Sequence, residues 1–180
     1  MRLRERVDGD VAALHAIAEL TAANDRYPPH WSTGMTHFPA PRIRSDELAA
    51  YVAVAEGDQP IAHIALHAAS ADGASTAAAN AAGIPAAQLA VVARLFVHPN
   101  HRGLGLAEQL LARVVGDADR LGRRPILDVW SELPRAIALY EKCGWERLAD
   151  IEIRFRSRCT NRCAHEGSSI NSHVYAWPSS

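Results

Sequence analysis

The sequence predicts a mixed α/β sheet in one domain over residues 1–180, with the order β-α-β-β-β-α-β-α-β-β. Three observations carry this prediction. The chain has 180 residues, 48% hydrophobic and 22% charged, which suits one soluble globular domain with a real core. Stretches with i, i+3, i+4 apolar spacing alternate with apolar or alternating stretches of strand length. An apolar run from Leu89 to Val97 stops at Pro99, and a short turn with Gly103 and Gly105 leads at once into an amphipathic helix pattern.

The elements follow in order. Residues 2–7 read as a first strand. Asp8 or Asp10 caps a helix through Val11, Leu14, Ile17, Ala18 and Thr21. Residues 27–42 hold Pro28, Pro29, Pro39 and Pro41 with His30, Trp31, His37 and Phe38, a loop too aromatic for a plain linker. Ser45 to Leu48 read as a helical turn. Tyr51 to Glu56 and Pro60 to His67 flank Gly57-Asp58-Gln59 as a β-hairpin.

Residues 68–87 are small and polar with no period, so they read as a loop mostly without regular structure. Gln88 to His98 is apolar on both faces, interrupted by Arg94, and reads as a central strand. Ala107, Leu110, Leu111, Val114, Val115 and Ala118 then make one helix face. Ile126 to Trp130 is a strand. Pro134 suits the first position of a helix running to Lys142 and closed by Gly144. Alternation at Ile151, Ile153 and Phe155, and at Val174 and Ala176, gives two last strands. The polar loop 157–170 lies between them.

Composition excludes several function classes. Net charge is −1, which gives no global pull toward nucleic acid or anionic membrane. No run approaches about 18 uninterrupted apolar residues, so no membrane span is expected. The charged start has no apolar segment behind it, which argues against a secretory signal. Cys143, Cys159 and Cys163 do not make a disulfide framework, so the cytoplasm is the expected compartment.

The junction after Val97 collects free backbone N–H groups and the positive end of a helix dipole, which suits a phosphate or pyrophosphate. A P-loop is excluded because no Gly-Lys-Ser/Thr follows, and a dinucleotide fingerprint fails because Glu108 replaces the third glycine. Arg102-Gly103-Leu104-Gly105-Leu106-Ala107 resembles the acetyl-CoA signature of the GNAT N-acetyltransferases, with Arg102, Gly105 and Ala107 in its three fixed places. Leu95-Phe96-Val97-His98-Pro99 looks like the family's cofactor-binding strand. Arg135 to Trp145 looks like its fourth helix and the start of the next strand. One departure is Leu133, which stands where many relatives place an asparagine.

The resemblance implies a mostly antiparallel sheet flanked by helices, and direct acetyl transfer from acetyl-CoA to an amine, small molecule or protein. No metal is expected, on the cysteine and histidine spacing given below. Backbone groups of Arg102, Gly103, Leu104, Gly105, Leu106 and Ala107 would hold the pyrophosphate, and Leu95, Phe96 and Val97 would pair with the pantetheine arm like an added strand. Tyr140 is implied as the acid that stabilises the leaving thiolate. A tyrosine near ~10 against a thiol near ~8.5 makes full proton transfer uphill by roughly 2 kcal/mol, so hydrogen-bond donation matters as much as transfer. His30, Trp31, His37 and Phe38 lie where relatives build the acceptor pocket.

An unprotonated amine is required for attack. For a lysine-like acceptor, deprotonation at pH 7 costs on the order of 4–5 kcal/mol. Glu132, His63, His67, His98 and Asp128 are all open as the base. Cys159, Cys163, His165 and His173 do not match a common structural zinc spacing. Arg154, Arg156, Arg158 and Arg162 read as a solvated face. An edge strand near the C-terminus offers a way to pair two copies as a homodimer. The alternative to an enzyme is a non-catalytic acyl-CoA-binding or interaction module with the same fold, and a further one is a transferase using a longer acyl chain.

Overall fold

The computed structural model describes residues 1–25, 46–154 and 169–178. The elements are β1 (Arg2–Glu5), α1 (Val11–Asp25), β2 (Glu47–Val54), β3 (Pro60–Ala68), α2 (Gly73–Ala82), β4 (Leu89–Val97), α3 (Leu106–Arg120), β5 (Arg124–Trp130), α4 (Pro134–Lys142), β6 (Glu146–Arg154) and β7 (Ser169–Ala176). The strands form a seven-stranded sheet in the order β1-β2-β3-β4-β5-β7-β6. The mixed, mostly antiparallel α/β fold expected from the sequence is the fold observed. β4 and β5 are parallel neighbours, while β1 with β2, β2 with β3, β5 with β7 and β6 with β7 are antiparallel.

The chain divides into two compact units, the first made of Met1–Ala68 and Val92–Leu121, the second of Ala69–Val91 and Gly122–Ser180. In the first unit, α1 buries Leu14, Ile17 and Ala18 against Val52, Val54 and Phe96. Its start is fixed by Asp10, whose carboxylate accepts from the Val7 N–H at 2.9 Å and pairs with Arg4 at 2.7 Å. That Arg4 partner holds the Asp10 carboxyl below its ordinary range. α3 packs against β2 and β3 and buries Leu106, Leu110, Leu111, Val114 and Ala118. Covered on both sides, β3 buries eight of its nine residues, from Pro60 to His67.

In the second unit, α2 packs its alanines on β5, β6 and β7, joining Ala74 and Ala78 to Leu89, Ile126, Val174 and Ala176. This corrects the expectation of an irregular 68–87 loop. The helix has a start signal in Asp72, which accepts from the Ser75 N–H at 2.7 Å, and a stop signal in left-handed Gly83. Alanine is the best helix former, but a face of small residues produces no large-apolar period to read. The Ser45–Leu48 expectation is corrected as well. β2 starts at Glu47, opposite His67 of β3, because sheet pairing outweighs the local preference there. Ser45 itself lies outside the described residues.

Candidate active site

The strand–glycine–helix junction forms as the sequence implies. The His98 N–H donates to the Ile61 carbonyl at 2.8 Å, and a single 3₁₀ turn, Pro99–His101, closes the strand end. Gly103 and Gly105 then take φ of 75° and 72°, a region L side chains rarely adopt. Gly105 is the left-handed cap of α3, and its carbonyl accepts from the Gln109 N–H at 3.1 Å. The amides of Leu106 and Ala107 therefore stand at the head of a helix, where no intrahelical acceptor exists. A Cβ at Gly103 would meet nothing within 4 Å, and at Gly105 only Gln109 Nε2 at 3.8 Å. The backbone favours glycine at both positions, and the space above it is open.

Arg102 contributes differently from its neighbours. Its guanidinium makes a two-pronged pair with Asp25, the last residue of α1, at 2.8 and 2.7 Å, and its Nε donates to the Val97 carbonyl at 3.3 Å. The side chain thus braces the loop against α1 and the strand end, and its charge is already paired.

β4 is irregular at Arg94, which has φ of 55°. The Arg94 carbonyl accepts from Nδ1 of His63 at 3.0 Å, and Nε2 of the same ring lies 3.2 Å from Arg6 Nη1. Arg6 in turn donates to Glu47 at 2.7 Å. His63 is fully buried, and that burial pushes its pKa down to about 4, so the ring is neutral. Pairing of β4 with β5 runs from Leu89↔Arg124 to Val91↔Ile126. The backbone from Val92 to Val97 is outside that ladder.

Tyr140 belongs to the second unit. Pro134 starts α4 as expected, Leu133 offers no side-chain cap, and Gly144 beyond the end takes φ of 89°. The Tyr140 ring is half-buried, 6.2 Å from the Trp145 ring and 6.3 Å from the Tyr175 ring. Tyr175 is buried, donates to Glu141 at 2.9 Å, and is pushed up to about 12 by burial and by that hydrogen bond. Tyr175 is therefore a locked core phenol, whereas Tyr140 is held in place at one edge of the aromatic cluster.

The candidate bases separate by surroundings. His63 is committed to the strand bond described above. His67 is buried with Asp46 at 3.7 Å. Glu132 is exposed, and His98 is half-buried with Nδ1 accepting from the Asn100 N–H at 3.2 Å. Asp128 is exposed on β5, yet surrounding protein displaces enough water to raise its pKa, helped by the nearby charge of Asp72. His173 pairs with Asp150 at 2.8 Å, and Arg147 followed by His173 holds that carboxyl below its ordinary range. Among the described residues no group of His, Cys, Asp and Glu is arranged to hold a metal. His30, Trp31, His37, Phe38, Cys159, Cys163, His165, Arg156, Arg158 and Arg162 lie outside the described residues.

The strained Arg94 and its buried support were missed from the sequence. The one available signal was a charged residue interrupting an apolar central strand.

Comparison with known proteins agrees with this geometry. Residues 15–145 match the model of the acetyltransferase (GNAT) family. The fold is shared with a ribosomal-protein-alanine N-acetyltransferase from Brucella melitensis, at 17% identity, TM-score 0.68 and 98% coverage of both chains. It is shared with Arabidopsis thaliana NAA60 in complex with acetyl-CoA, at 14% identity, TM-score 0.64, and 98% and 97% coverage. An N-acetyltransferase from Staphylococcus aureus Mu50 aligns at 16% identity, TM-score 0.65, and 97% and 96% coverage. No curated protein matches the sequence. With the fold, the glycine junction and the family match in agreement, the chain belongs to the GNAT acetyltransferases. It is therefore an N-acetyltransferase of that family.

Proposed function

We propose that the segment from Leu95 to Ala107 is the acetyl-CoA site and that Tyr140 serves the leaving thiolate. Leu95, Phe96 and Val97 bind the pantetheine arm through their backbone, and Arg102, Gly103, Leu104, Gly105, Leu106 and Ala107 bind the pyrophosphate through theirs. The observation that carries this reading is continuous in the chain. A strand whose pairing with β5 stops at Val91 runs into a helix headed by left-handed Gly105. One edge of backbone and one set of helix-head amides are thereby offered in the order that an acyl-pantetheine pyrophosphate requires.

In the reaction, the acceptor amine attacks the thioester carbonyl, the C–S bond breaks, and the acetyl group ends on nitrogen. An N–H of the β4 edge polarises the carbonyl. Tyr140 donates a hydrogen bond to the sulfur as charge develops there. The amine gives up one proton to solvent before or during attack, and the sulfur departs as the thiolate of free coenzyme A.

The reading also includes one domain over residues 1–180, a cytoplasmic location supported by the cysteine pattern, and no nucleic-acid or membrane partner. β6 is the sheet edge nearest the C-terminus and the strand through which two copies would pair as a homodimer. The acceptor is an amine, small molecule or protein, read by the 27–42 segment with His30, Trp31, His37 and Phe38. The test is a panel of small amines and peptide N-termini, with released thiol and acetylated product both measured. Amine-dependent thiol release with matching product is expected. Thiol release that does not depend on the amine would contradict transfer to nitrogen.

A further inference from the structure

Among the described strand residues, Arg94 is the non-glycine residue with a left-handed backbone, at φ 55°. Such a conformation persists only where the surroundings enforce it. Here the enforcing group is identifiable. A carbonyl only accepts and a guanidinium only donates, so His63 must carry its proton on Nδ1 toward the Arg94 carbonyl (3.0 Å) and its lone pair on Nε2 toward Arg6 (3.2 Å). Arg6 is fixed by Glu47 at 2.7 Å, with side chains only 2% and 8% exposed. The Phe96 ring stacks on the imidazole at 5.3 Å and 25°.

A buried carboxylate, guanidinium and imidazole cost desolvation that three apolar side chains would avoid. This chain of polar groups ends on one backbone carbonyl, that of the strained residue. Arg94 also immediately precedes Leu95, Phe96 and Val97.

We propose that His63, held by Arg6 and Glu47, is a positioning residue for acetyl-CoA. By capturing the Arg94 carbonyl it holds β4 out of regular strand geometry and sets the direction of the Leu95–Val97 backbone that binds the pantetheine arm. The inference rests on the reading of that segment as the arm's site.

Two variants separate positioning from packing. In His63→Asn the side-chain amide N–H occupies the place of Nδ1 and keeps the bond to Arg94. In His63→Gln the amide reaches the Nε2 place, satisfies Arg6 and leaves the Arg94 carbonyl unserved. Calorimetric titration with acetyl-CoA should give H63N an affinity within about threefold of wild type, whatever its Tm. H63Q should bind at least tenfold more weakly. H63Q binding like wild type, or H63N losing as much affinity as H63Q, would overturn the proposal. A second measurement needs no variant. In wild-type protein, the ¹⁵N resonances of the His63 ring should report an Nδ1–H tautomer and move on saturation with acetyl-CoA. An unmoved ring in a protein that binds acetyl-CoA would also overturn it. Absence of any acetyl-CoA binding by the wild type would instead mean that the underlying site reading has failed, and the inference with it.

Discussion

Two residues show how surroundings assign roles. Tyr140 and Tyr175 are neighbours, but Tyr175 is buried and hydrogen-bonded to Glu141, which fixes its proton, while Tyr140 is only half-buried. Replacing Tyr140 with Phe removes one hydroxyl and keeps the ring contacts with Trp145 and Tyr175. Tyr140→Phe is expected to lower turnover at least about tenfold, about 1.4 kcal/mol of barrier, with acetyl-CoA affinity retained. Turnover equal to wild type would remove Tyr140 from its role. His63 makes a different prediction. Its folded pKa near 4 lies below the ordinary 6.5. Below pH 6.5 the unfolded chain takes up a proton that the folded protein refuses, so stability falls as pH drops from 6.5 and levels off below about 4. The loss is on the order of 3 kcal/mol at most. Denaturant unfolding across this range should show a steeper decline in wild type than in His63→Asn, and equal slopes would contradict the buried neutral ring.

At the scale of elements, the loop between β4 and α3 is held by a partner distant in sequence. Arg102 and Asp25 are 77 residues apart and joined by two short hydrogen bonds. If Arg102 acts as a brace, Asp25→Ala and Arg102→Ala should each weaken acetyl-CoA binding several-fold, and the double variant should be no worse than either. If its guanidinium instead met the phosphates directly, Asp25→Ala would tighten binding by releasing a cation. The sign of the Asp25→Ala effect decides between these.

Such a pair is invisible to spacing rules, because nothing local links residue 25 to residue 102. What was legible is the punctuation around it. Pro99 and Pro134 fix φ through their rings, and Gly103, Gly105 and Gly144 admit the positive φ that their turns need. α2 was illegible for the opposite reason, since alanines form a helix and a snug face without leaving a hydrophobic period. The left-handed backbone of β4 at Arg94 is met by a histidine, an arginine and a glutamate from three other segments, so only the intrusion of Arg94 marked it.

At the scale of the whole molecule, each unit carries one part of the proposed chemistry on its own support. The first holds the β4 edge and the glycine loop between α1 and α3, and the second holds Tyr140 on α4 beside the aromatic cluster. The element order and the two motifs were enough to reach the family, because each comes from local backbone rules. The acceptor was beyond reach, because the side chains of a loop such as 27–42 follow no local backbone rule that names an amine. The most direct test of the central claim is calorimetric titration of acetyl-CoA into the wild-type chain and into Gly105→Ala. The account predicts saturable binding at one site in the wild type. It predicts at least tenfold weaker binding in the variant, whose new methyl group strains a loop backbone held at a positive φ. No binding by the wild type at millimolar acetyl-CoA, or equal binding by both proteins, would contradict it.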